Sequence, residues 1–138
     1  MPNLRGPDER KRRLFAYVIL SVILYGAPVW GDEFTRSRRQ ASLNGLQRVV
    51  AQRTISAYRT VWRPSCNAAF LLAGTPPLKL LAPMRKRLYE KLRKLKKDGE
   101  YSKETRDAAK DEECSRMYEL WRSELEKPNT SGEYMKMA

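Results

Sequence analysis

The sequence predicts an all-α fold, an irregular bundle of four to five helices with a central apolar first helix. Three observations predict it. Apolar residues recur at spacings of three, four and seven along most of the chain. No segment alternates apolar and polar residues as a half-buried strand would. Gly, Pro, Ser and Thr fall between the periodic stretches, where helices start and stop. With 41% hydrophobic and 32% charged residues, the chain can bury one core, and a thin one.

The first helix is expected from about Asp8 to Gly26, ahead of Pro28. Residues Leu14–Trp30 are uncharged and follow Arg10-Lys11-Arg12-Arg13. That order imitates a signal peptide or a short membrane anchor. Against this, Asp8 and Glu9 sit among the bases, and Tyr17, Ser21 and Tyr25 dilute the apolar run. A helix apolar nearly all round also suits the middle of a bundle. Gly26-Ala27-Pro28 reads as a turn, with Tyr25 and Trp30 as core anchors and Trp30 folding back.

The second helix is expected from about Thr35 to Val61. Leu43, Leu46, Val50, Ala57 and Val61 form its apolar stripe, and Arg48, Gln52, Arg59 and Arg63 lie opposite. Pro64-Ser65 then starts a short helix that Gly74 stops. Thr75 reads as the cap of the next helix, with Pro76 at its first position. Pro83 should kink that helix or mark a second start. Beyond it, Leu81, Met84, Leu88, Leu92 and Leu95 make a stripe, with Lys86, Arg93 and Lys97 opposite, until Asp98-Gly99. The last helix runs from about Ser102 to Lys127 on a stripe of Cys114, Met117, Trp121 and Leu125. Asp111, Glu112, Glu113, Glu119 and Glu124 make it acidic. The domain reading is one helical unit, residues 1–127, basic over 1–98 and acidic over 99–127, with 128–138 as a flexible tail.

The net charge is +12. Residues 1–98 hold 21 Lys and Arg against 6 Asp and Glu, whereas residues 99–138 hold 7 against 10. An excess of that size points to a polyanion partner, nucleic acid above all. Cys66 and Cys114 stand far apart and the chain has no histidine, so the common cysteine–histidine zinc motifs are excluded. Two distant thiols suit core positions in an intracellular reducing compartment, nuclear or cytoplasmic.

No catalytic apparatus is legible. Asp8-Glu9 and Asp32-Glu33 are acidic pairs whose local sequence fits the first turn of a helix. No Asp-Asp pair, His-based triad or Gly-rich phosphate loop is present. The expectation is therefore no catalytic residue, no metal ligand and no cofactor in this chain. Tyr58 and Trp62 flank Arg59 and could stack on a base, although aromatics beside an apolar stripe are more often core.

One ordered series of residues adds to this. Tyr25-Gly26-Ala27-Pro28-Val29-Trp30 is followed by Leu46-Gln47-Arg48, Ala57-Tyr58-Arg59-Thr60-Val61, Leu72-Ala73-Gly74-Thr75-Pro76-Pro77-Leu78 and Arg85-Lys86-Arg87-Leu88-Tyr89. The series resembles the C-terminal thumb-like segment, downstream of the catalytic palm, of non-LTR (LINE-type) retrotransposon reverse transcriptases. The likeness is greatest to the arthropod clade that inserts into ribosomal DNA. The resemblance implies a fragment of an RNA-directed DNA polymerase that is non-catalytic by itself. The Mg²⁺-binding carboxylates would belong to the missing palm. It also implies a helical module that grips the RNA/DNA template–primer duplex by its phosphate backbone and contacts the palm and fingers of the parent polymerase. Arg48, Arg59, Arg63, Lys86, Arg93 and Lys97 are the expected nucleic-acid-binding residues. Two alternatives stand beside it. One is a stand-alone basic helical nucleic-acid-binding or interaction protein. The other is a small membrane-anchored protein held by Leu14–Trp30.

Overall fold

The computed structural model describes residues 7–31, 39–55 and 66–127. Among the described residues lie six helices and no strand: α1 (Glu9–Leu24), α2 (Ala27–Trp30), α3 (Arg39–Thr54), α4 (Cys66–Ala73), α5 (Leu78–Lys97) and α6 (Lys103–Glu126). The fold is all-α, with one or two more helices than expected. Packing joins α1 to α3 and α5, α2 to α5, α3 to α4 and α5, and α5 to α6.

The middle of the bundle is the start of α5, not the first helix. Leu20 and Leu24 of α1, Ala27 of α2, and Leu78 and Ala82 of α5 form one buried cluster, with Trp30 and Leu43 packed against it. A second cluster joins Ala51 of α3, Ala69, Phe70 and Ala73 of α4, and Trp121 of α6, with Leu80 of α5 packed on it. Burying a Leu or Phe side chain contributes about 1.5–3 kcal/mol, so these few contacts dominate the stability. α1 buries only Ala16, Leu20 and Leu24, each four residues apart. Its other faces are open because α3 and α5 cover one side alone. Tyr25, expected as a core anchor, is 90% exposed. Trp30 does fold back: a Cβ at Gly26 would lie 2.8 Å from its Nε1.

Asp8 caps α1 by accepting from the Lys11 N–H at 2.9 Å, and Glu9 pairs with Arg13. The first acidic pair therefore serves a helix start. Arg12 donates from Nε to the Thr54 carbonyl at 3.2 Å. A cation thereby sits at the C-terminal end of α3, where the helix dipole favours it. Gly31 is needed for close approach. A Cβ there would stand 2.9 Å from the Ala82 carbonyl oxygen of α5.

α3 keeps the expected stripe only in part: Leu43 and Val50 are half-buried, as expected. Its buried residues are Gln47, Ala51 and Thr54, whereas Leu46 is 45% exposed. The reason is a polar contact that hydropathy does not report. Gln47 Nε2 donates to the Pro76 carbonyl at 2.7 Å, and Gln47 Oε1 accepts from the Leu78 N–H at 2.9 Å. One buried side chain thus satisfies a carbonyl and one of the orphan N–H groups that open a helix. Ile55 follows as a turn, and the expected continuation to Val61 lies outside the described residues.

Thr75 does not cap α5. Gly74 takes φ +67°, its N–H bonds the Leu71 carbonyl, and the Thr75 N–H bonds the Phe70 carbonyl. This is a Schellman closure of α4, so Thr75 ends one helix rather than starting the next. Pro77 precedes α5, and Leu78 is its first residue. The helix then runs through Pro83 as one element. A proline there removes a single helical bond, the one to the Lys79 carbonyl. At the far end Gly99, φ +74°, closes α5, and a Ser102–Thr105 capping box opens α6.

Candidate nucleic-acid interface

The bases of α5 divide between two faces. On the inner face α6 runs antiparallel and meets them with carboxylates. Arg87 Nε lies 2.9 Å from Glu113 Oε2, and Lys91 Nζ lies 2.8 Å from Glu113 Oε1 and 3.0 Å from Glu112. Nearer the start of α5, Lys79 reaches Glu124 at 2.8 Å. Glu113 is 1% exposed. Burial alone pushes its carboxyl up, but the hydrogen bonds and charges of Lys91 and Arg87 outweigh this and hold it below the ordinary glutamate value. Lys91 is raised above the usual lysine value by its bonds to Glu113 and Glu112.

The outer face is predominantly basic, with Lys86 engaged within the chain and Glu90 exposed at its edge. Arg85, Arg93, Lys96 and Lys97 are exposed, Lys86 is half-buried beside them, and Tyr89 stands among them at 51% exposure. Arg85, Arg93 and Lys97 form no ion pair with any described residue. Lys96 sits over the Tyr101 ring, 5.1 Å from its centroid. Spacings of three, four and seven place these residues on one stripe of the helix. From Arg85 to Lys97 the stripe is about 18 Å long at 1.5 Å per residue.

Of the six residues expected to bind nucleic acid, the structure brings Lys86, Arg93 and Lys97 onto this stripe. Arg48 is elsewhere: it lies on α3 next to Gln47, half-buried and already engaged within the chain. Arg59 and Arg63, with Tyr58 and Trp62, lie outside the described residues, as do Asp32 and Glu33. Arg85, Tyr89 and Lys96 share the stripe without being among those six, although their spacing to Arg93 and Lys97 was legible. Among the described residues no group of three or more His, Cys, Asp or Glu side chains is placed to hold a metal ion. Cys66 and Cys114 are free thiols.

Comparison with known proteins gives one relevant similarity. Over 80 residues, 57% of this chain, the sequence is 35% identical to a 115 kDa protein in the type-1 retrotransposable element R1DM of Drosophila melanogaster. The matched stretch is 8% of that protein's length, so the chain spans a small part of its relative. The similarity supports a retrotransposon-related origin. No family model matches the chain, and no solved structure matches it.

Proposed function

We propose that the chain is a thumb-like, non-catalytic segment of a retrotransposon reverse transcriptase, and that the outer stripe of α5 grips a template–primer duplex by its phosphates. The observation that carries this is the division of charge on α5. Its inner bases are neutralised by α6, whereas Arg85, Arg93 and Lys97 remain exposed around Tyr89. Arg85, Arg93, Lys96 and Lys97, with the half-buried Lys86 beside them, offer charge for about four to five phosphates. Flexible cations on a helix read backbone and not base edges, which suits a protein that must hold any sequence. In an A-form-like hybrid, phosphates and the wide minor groove are what such a surface can reach. The similarity to the R1DM protein supports the same reading.

The membrane alternative receives no support from the helices. Among the described residues none is long and apolar enough to cross a membrane. The Leu14–Trp30 run is divided by a turn at Tyr25-Gly26.

Fluorescence anisotropy with an RNA–DNA hybrid and a DNA duplex of several sequences tests the proposal. Expected is salt-sensitive binding with little sequence preference, log K falling with log salt at a slope of about −4 to −5 on duplex DNA. A flat salt response, or strong preference for one sequence, contradicts it.

A further inference from the structure

A second group of bases stands on helices that take no part in the α5 stripe. Arg10 and Lys11 in the first turn of α1 and Arg53 in the last turn of α3 are exposed. Among the described residues none of the three has an ion-pair partner. Arg12 holds the two helix ends together. Its Nε donates to the Thr54 carbonyl at 3.2 Å and its Nη1 to the Pro7 carbonyl at 2.6 Å. The adjacent carboxylates are already engaged: Asp8 accepts from the Lys11 N–H, and Glu9 pairs with Arg13. Arg10, Lys11, Arg12, Arg13 and Arg53 against Asp8 and Glu9 leave this corner positive. Arg10 and Lys11 do not serve α1 itself, because the dipole at a helix start opposes cations. A bound anion offsets that repulsion.

The order of contacts along α1 separates this group from the stripe. Arg13 Nη1 would lie 3.6 Å from a Cβ at Gly74, which precedes α5. Leu20, Leu24 and Ala27 then meet Leu78 and Ala82, and Gly31 lies against the Ala82 carbonyl. α1 and α2 thus pass the start of α5 in the sense in which α5 runs, and Arg10 lies behind that start. Arg85 to Lys97 lie ahead of it, roughly 10–29 Å along α5 from Leu78 at 1.5 Å per residue.

We propose that Arg10, Lys11 and Arg53 form a second phosphate-binding site, which takes a nucleic-acid segment other than the one held on α5, so that one chain bridges two. Three exposed cations on two fixed helix ends suit the spaced charges of a phosphate backbone. With fewer bases than the α5 stripe, the site fills second. It stands on α1 and α3 alone, and only the bridging rests on the α5 reading.

Titration with a six-pair DNA hairpin, about 20 Å long at 3.4 Å per step, tests it, with the number of hairpins per chain read by sedimentation velocity. Expected are two per chain, the second bound with a salt slope of about −3 for three phosphates. Arg10→Glu, Lys11→Glu and Arg53→Glu together should weaken the second event about tenfold or more, with the first event and circular dichroism unchanged. If that chain loses helicity, Gln at the same three positions gives the reading, with a smaller loss of the second event. Reversal of Lys110, Arg116 and Lys127, three exposed bases on α6 and at its end, should leave the second event in place. Arg93→Glu with Lys97→Glu should remove the stronger event and spare the weaker. If that pair changes neither event while the α1–α3 reversal does, the α5 reading fails and this site stands. One hairpin per chain overturns the proposal, whether its binding ignores the α1–α3 reversal or is weakened by both reversals as one continuous track. Equal loss from the α6 reversal overturns it as well. So does a single hairpin together with phosphatidylserine-vesicle binding that needs the three bases, which gives the site to a membrane.

Discussion

At the scale of residues, two buried polar side chains hold the helices in place, and neither stands out by hydropathy. Gln47 bonds Pro76 and Leu78 across 29 and 31 positions of sequence. Gln47→Leu should leave a buried carbonyl and a buried N–H unsatisfied. At about 1–3 kcal/mol for each, urea denaturation should show a clear loss of midpoint with an unchanged slope. An unchanged midpoint would mean that water or a shifted backbone supplies both bonds. Glu113 is the second such residue. It was read only as part of an acidic helix, yet it falls four residues before Met117 and eight before Trp121, in step with the buried stripe. Removing both its partners by Arg87→Met with Lys91→Met leaves a buried charge and should cost about 3–5 kcal/mol. Its pH signature has a definite sign. The folded-state pKa of Glu113 is lowered, so its contribution is fully present above the ordinary glutamate pKa of about 4.3 and is lost as pH falls through the folded value. Stability of the wild type should therefore drop more steeply below about pH 4.3 than that of Glu113→Gln. Parallel acid curves for the two proteins would refute the pairing.

At the scale of elements, helix identity was legible and helix facing only in part. The stripes of Met84, Leu88, Leu92 and Leu95 on α5, and of Met117, Trp121 and Leu125 on α6, are buried or half-buried as periodicity predicts. These two helices pack on each other along their length, so one apolar stripe and one polar face suffice to orient each. α1 is different. It is apolar all round, so its hydropathy cannot tell which side meets the bundle. Only the small Ala16 in line with Leu20 and Leu24 marks the packed side. α3 was misread in part: Leu43 and Val50 are half-buried as expected, but the fully buried positions are polar or small and Leu46 points outward. The Thr75 cap failed for a local reason. A left-handed glycine followed by Thr satisfies a Schellman closure as readily as Thr followed by Pro suggests an N-cap. Gly74→Ala should accordingly be destabilising, since an alanine at φ +67° is strained. A loss on the order of 1 kcal/mol in thermal or urea unfolding is expected. A gain would show that α4 ends differently. Gly31→Ala should also destabilise, by forcing α2 away from the Ala82 carbonyl.

At the scale of the whole molecule, the uneven charge of the sequence becomes a surface only after α6 has packed. Net charge raised the expectation of a polyanion partner, but it could not say which bases remain available. Arg87 and Lys91 stand in the same basic run as Lys86 and Arg93, and ion pairs with α6 remove them from the outer surface. Charge reversal at Arg93 and Lys97 together should therefore weaken duplex binding about tenfold or more at moderate salt. It should also lower the salt slope by about 2, with circular dichroism unchanged. Reversal at Lys79, which is paired to Glu124, should change binding far less. Equal effects at both places would mean that overall charge, and not the α5 stripe, governs affinity.

The most direct measurement is an NMR titration of the ¹⁵N-labelled chain with an RNA–DNA hybrid. The account predicts that amide shift changes gather on α5 at Arg85, Tyr89, Arg93, Lys96 and Lys97. The outward acidic positions of α6, such as Asp111 and Glu119, should stay still. Shifts centred on α1 or on α6, with α5 unmoved, would contradict it.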